Sequence, residues 1–188
     1  IQPLEAGVVK RVLVHDGDSV NAGQVLVELD ATNASADQSS VQEQLNAADE
    51  QGEPLWVAVA RGRRSLVAAH LGLTDEARAD AEAALAVAET CSDPGLALLC
   101  EWALGFLALS LDQLVEAADW LGRADATHEA IGLVEPGYAR FQADLVEALV
   151  RLGRLEEAEA HLRRYEGRAR ETGRPSALAA AARARALL

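Results

Sequence analysis

Residues 94–124 read PGLALLCEWALGFLALSLDQLVEAADWLGRA, and this stretch decides the fold. Proline suits the first turn of a helix, where its missing N–H has no partner to lose, and Asp93 before it sets a carboxylate at the positive helix end. The apolar run that follows meets no breaker until Asp112, a residue of turn chemistry. Glu116-Ala117 then opens a second helix, and Leu121 and Ala124 lie four and seven residues beyond Ala117 on one face. The stretch reads as a helix hairpin with small residues at its crossing.

Outward from it the same landmarks return. Apart from Pro3, prolines fall at 54, 94, 136 and 175, so the period is close to forty, and each is expected to open a helix. Glu53, Asp93 and Glu135 precede three of them. Gly72, Asp112 and Gly153 mark the turns inside each hairpin, and Glu76-Ala77, Glu116-Ala117 and Glu157-Ala158 follow in phase. Each of those alanines has face partners, namely Ala81 and Ala84, Leu121 and Ala124, Leu162 and Tyr165. A hairpin of this kind cannot bury its apolar faces alone, so successive hairpins should stack into a solenoid. The units are placed at 54–93, 94–135 and 136–174, with a half unit at 175–188.

The first 35 residues have a different composition. Val8 to Val14 and Gln24 to Leu29 alternate like strands, separated by the turn clusters His15-Asp16-Gly17-Asp18 and Asn21-Ala22-Gly23. A small β half-barrel or meander at 1–35 is expected, joined by a connecting helix across Ala36 to Gln51 that ends near Gly52, within residues 36–53. The fold class is therefore mainly α. The 188 residues carry a net charge of -13, which disfavours phosphate backbones, and no apolar run is long enough to span a membrane.

The repeat resembles the tetratricopeptide family in Leu104-Gly105, Ala108, Ala117, Leu121 and Ala124, and in the turn Gly153-Arg154-Leu155-Glu156-Glu157-Ala158. Its period exceeds the usual thirty-four. With their Ala and Arg bias the units also resemble the sensor arrays of large LuxR-type, ATPase-containing transcriptional regulators, and Leu45 to Glu50 reads as the tail of a preceding unit's second helix. The N-terminal stretch Ile1 to Val9, with Val12, Val14, Gly17-Asp18, Val20, Gly23-Gln24, Leu26 and Leu29-Asp30, resembles the biotinyl/lipoyl half-motif, most closely that of HlyD-type membrane fusion proteins. Carriers of this kind hold a modifiable lysine where this chain has Asp30-Ala31-Thr32-Asn33, and Lys10 lies in the preceding strand, so no covalent cofactor is expected. The first resemblance implies a cytoplasmic scaffold or sensor module that binds a peptide or protein. The second implies a periplasmic adaptor of type I secretion or efflux.

No nucleophile–base pair, P-loop or zinc spacing stands out, so the expectation is a non-catalytic protein without metal or cofactor. His15, His70, His128 and His161 read as surface residues, and Cys91 and Cys100 as buried small hydrophobes, with a disulfide between them as the competing reading. The Arg61, Arg63 and Arg64 cluster reads as an exposed basic face, with binding of an acidic peptide or phosphate as the competing reading. A solenoid offers a concave face made by the first helix of every unit. The groove positions implied by the tetratricopeptide resemblance are Val59, Leu66 and His70, then Trp102, Phe106 and Leu109, then Arg140, Glu147 and Arg151. For the aromatic residues, core packing is the competing reading. Helix 175–188 should pack on 154–172 and leave Leu187 or Leu188 partly exposed, inviting self-association there or at the strand edges.

Overall fold

A computed structural model describes residues 9–15, 19, 21, 24–29, 32–132 and 140–188. Strands β1 (Val9–Val12) and β2 (Val27–Leu29) pair antiparallel, with Arg11 opposite Glu28 and Val12 opposite Val27. The Gln24 N–H donates to the Asn21 carbonyl at 3.1 Å; Ala22-Gly23 of the second turn cluster and Asp16-Gly17-Asp18 of the first lie outside the described residues. Among the described residues no helix packs on the strand pair, and Val12 and Val25 stay exposed.

Eight helices follow among the described residues: α1 (Thr32–Gln51), α2 (Pro54–His70), α3 (Thr74–Cys91), α4 (Pro94–Ser110), α5 (Leu114–Ala130), α6 (Phe141–Arg151), α7 (Leu155–Thr172) and α8 (Pro175–Arg185). Each packs on the next in sequence, and α2, α4, α6 and α8 also pack on one another in order. The result is an array of helix hairpins in two layers. The expected faces are all interior: Ala77, Ala81 and Ala84, Ala117, Leu121 and Ala124, and Ala158, Leu162 and Tyr165 are each at most 2% exposed.

Pro54, Pro94 and Pro175 open α2, α4 and α8. Asp93 caps its helix, accepting from the Gly95 and Leu96 N–H groups at 3.0 Å, whereas Glu53 makes no side-chain cap; its extra methylene carries the carboxylate past the short Asp geometry. Pro136 and Glu135 lie outside the described residues, and the first helix of unit three begins at Phe141. The connecting helix starts at Thr32, four residues ahead of Ala36, and packs on α2 through Leu45 and Ala48 against Val57 and Ala60. It occupies the place of a preceding unit's second helix.

The turns repeat in backbone detail. Gly72, Asp112 and Gly153 adopt left-handed φ values of 74°, 62° and 76°. After each, the next N–H donates to a carbonyl five residues back, Leu73 to Ala68, Gln113 to Ala108 and Arg154 to Leu149, all at 2.9 Å. This bond, with a left-handed residue before it, closes the last turn of a helix and satisfies its free carbonyls. Gly52, Ser92, Gly132 and Gly173 form a second left-handed series, at the turns between units. Arginines of later units then reach back to acids 39 residues earlier, Arg151 to Asp112, Arg164 to Asp125, Arg168 to Glu129 and Arg183 to Asp144.

Helix α8 packs on α6 and α7, and Leu188 is exposed. No helix among the described residues is long and apolar enough to cross a membrane.

Candidate partner-binding face

The mutually packed helices α2, α4, α6 and α8 form one layer, and near its middle they bring chemically unlike side chains together. His70 ends α2, where its Nδ1 lies 2.6 Å from the Leu66 carbonyl oxygen. Its ring stacks on Phe106 of α4, centroids 4.3 Å apart and planes 15° from parallel. Trp102 lies one turn before Phe106, half-buried, and packs against the same core.

Helix α6 adds acids. Asp144 stands in its first turn, Glu147 follows one turn on, and Arg183 of α8 bridges both, at 3.2 Å to Asp144 and 3.0 Å to Glu147. Arg151 reaches Glu147 at 3.7 Å from one turn further along α6 and also pairs with Asp112. Burial pushes the Asp144 carboxyl up to about 6, and the neighbouring Glu147 charge pushes the same way. Arg183, the Trp102 indole and His70 oppose that rise. The indole N–H makes no hydrogen bond of good geometry, although it lies close enough to Asp144 to favour the charged carboxyl.

Of the nine groove positions expected from sequence, five meet here: His70, Trp102, Phe106, Glu147 and Arg151. Phe106 and Leu109 are buried in the core, Phe106 with the His70 ring stacked on it. Leu109 therefore forms no part of an open face, because its position on α4 turns it inward toward the core shared with α6. Val59 and Leu66 pack against the cluster between α2, α3 and α4, and Arg140 is the N-cap residue of α6, one turn before Asp144, without a side-chain cap. Asp144 and Arg183 were missed. A signal for Asp144 existed, since it precedes Glu147 by one helical turn on an otherwise apolar helix.

Other side chains depart from the sequence reading. Cys91 is exposed, because it ends α3 beside the turn at Ser92; Cys100 is buried, and burial raises its thiol to about 12. His128 is not a surface residue. It takes the place that Ala88 and Ala169 hold in neighbouring units, is fully buried edge-on to Phe141, and leaves both ring nitrogens without hydrogen bonds. Burial holds its pKa below the ordinary histidine value. The basic cluster is divided up: Arg64 forms a bidentate pair with Asp80 at 2.6 and 2.8 Å, and Arg63 donates to Gln44 of α1 at 2.9 Å. Arg61 stays apart, its Nε buried without a partner.

No protein-family model matches the chain, and no curated protein does.

Proposed function

We propose that the chain is a non-catalytic interaction module that holds a peptide or protein segment along the layer of α2, α4, α6 and α8. The observation that carries this reading is the grouping of His70, Trp102 and Phe106 from two helices with Asp144, Glu147 and Arg183 from the next two. Aromatic faces beside carboxylates suit a segment that presents a basic side chain, through cation–π and charge-assisted contacts. Arg183 is then the internal occupant that such a side chain displaces. Tetratricopeptide-like arrays use helix layers in this way, and within that resemblance the finer reading is the sensing part of a transcriptional regulator.

The test is selection of peptides on the immobilised chain, followed by titration of the selected peptides. Trp102→Ala and Glu147→Gln should each weaken binding about tenfold or more, while Arg163→Ala, an exposed residue of α7, leaves it unchanged. Equal affinity in all three variants sinks the proposed face.

A second reading draws on a strand pair that precedes the long helix α1 in the chain, which supports a HlyD-type periplasmic adaptor of type I secretion or efflux. Fusion of the full-length protein to a compartment-sensitive reporter separates the two: a periplasmic signal favours the adaptor, a cytoplasmic one the regulator.

A further inference from the structure

Three positions forty or forty-one residues apart, Arg61, Glu101 and Gln142, occupy the same place in the repeat, on the first helix of each unit and turned toward the second. What surrounds them differs. In unit two Glu101 is nearly buried yet fully partnered: Thr127 donates to it at 2.8 Å and Arg123 lies at 3.3 Å, with Glu89 of the preceding helix on the far side of Arg123 at 3.7 Å. In unit three the place is closed over Gln142 by Arg164, Arg168 and Tyr165, leaving a void of about 10 Å³. That is room for about one water.

In unit one, the positions forty residues before Arg123, Thr127 and Glu89 are Ala83, Val87 and Asp49. Alanine and valine are too short to fill the space, and a cavity of about 320 Å³ opens between α1, α2 and α3. Its walls are Val57, Ala58, Ala83 and Val87, with Arg61 and Asp49 on the lining. The Arg61 Nε is shielded from solvent and makes no hydrogen bond, and the exposed Asp49 carboxylate, whose charge also reaches Arg64, stands on the same lining. A shielded N–H without an acceptor is costly, and the neighbouring unit supplies its polar residue with partners at the equivalent place.

We propose that this cavity binds a free α-amino acid with an apolar side chain. Its carboxylate takes the fork of Arg61, its ammonium faces Asp49, and its side chain lies against Val57, Ala58, Ala83 and Val87. The volume lies at the lower end of small-molecule pockets, about 300–1,000 Å³. A peptide terminus carries only one of the two charges, whereas the cavity offers a partner for both. This site lies apart from the α2–α4–α6–α8 face and does not depend on the reading given to that face.

The experiment is calorimetric or ligand-observed NMR titration of the whole chain with L-leucine and L-phenylalanine, and with N-acetyl-L-leucine and L-leucinamide as probes lacking one charge. Saturable binding of at least one amino acid is expected, with each single-charge probe at least tenfold weaker. Arg61→Gln should weaken binding tenfold or more. Ala83→Phe, which fills the apolar part of the space without adding charge beside Arg61, should abolish it with thermal stability kept. Failure of both amino acids to bind overturns the site, as does undiminished binding in Ala83→Phe. N-acetyl-L-leucine binding as well as leucine overturns the zwitterion.

Discussion

Helix α2 buries Ala58, Ala60, Gly62, Ser65, Ala68 and Ala69, whereas α4, in the same place of the next unit, buries Leu96, Leu98, Leu104, Phe106, Leu107 and Leu109. The backbone turns and helix order are shared, but the filling is not. Unit two is held by bulk: several leucines there are almost fully removed from water, each stabilising by about 1.5–3 kcal/mol. Unit one is held by close approach of small residues and by polar clamps, Arg64 to Asp80 and Arg63 to Gln44. One repeat frame thus accepts two ways of packing, and the looser filling leaves room for the Arg61 cavity.

The largest expected effect tests the tight unit. A methyl group on Gly105 would lie 2.5 Å from Leu121 Cγ and 3.1 Å from the Leu121 backbone nitrogen, so relief requires the helices to part. Gly105→Ala should cost about 2–3 kcal/mol in urea unfolding, despite the gain in helix propensity. Gly62→Ala, at the α2–α4 crossing, meets only side-chain ends, those of Leu96 at 3.0 Å, Leu99 at 3.3 Å and Cys100 at 3.5 Å, and should cost under about 1 kcal/mol. Equal losses at the two glycines would erase the contrast between units.

Next comes the clamp of unit one. Asp80→Ala leaves Arg64 partly buried without its bidentate acceptor and should cost about 2 kcal/mol by the same measurement. If the loss is nil, the Arg64–Asp80 pair is not what holds unit one.

The third test is pH. His128 is buried neutral with its pKa lowered, so the unfolded chain takes up its proton as pH falls through about 6.5 while the folded chain resists. Its contribution to stability is therefore present above that range and lost as pH falls below it. His128→Leu should reduce the drop in melting temperature between pH 8 and pH 5.5 relative to the parent; an unchanged drop removes His128 as its source.

The smallest effect concerns a turn. Ser92 holds φ of 53°, where Gly52, Gly132 and Gly173 hold the equivalent places. Ser92→Gly should stabilise by about 0.5–1 kcal/mol, seen as a raised urea midpoint.

The hairpin frame was legible in the sequence because prolines, turn residues and small crossing residues each recur on a fixed period and have local causes. Gly72, Asp112 and Gly153 are turn residues by chemistry, whatever packs around them. The candidate face was half legible: His70, Trp102, Phe106, Glu147 and Arg151 meet, but Leu109 turned inward, and helix periodicity alone does not separate a groove-facing leucine from a core one. Arg183 escaped notice because its role exists only across units, where it reaches Asp144 and Glu147 on another helix. His128 misled because a polar residue on an amphipathic helix reads as outward. Its burial is set by Phe141 and by the alanine-sized place it occupies, neither of which lies near it in sequence.

The ladder of arginines reaching back 39 residues also gives the chain a direction in time. Asp112, Asp125 and Glu129 leave the ribosome before Arg151, Arg164 and Arg168, so unit two first exists with an unneutralised acidic edge. Like charges on that edge repel other nascent copies until the chain's own next unit arrives to cover it.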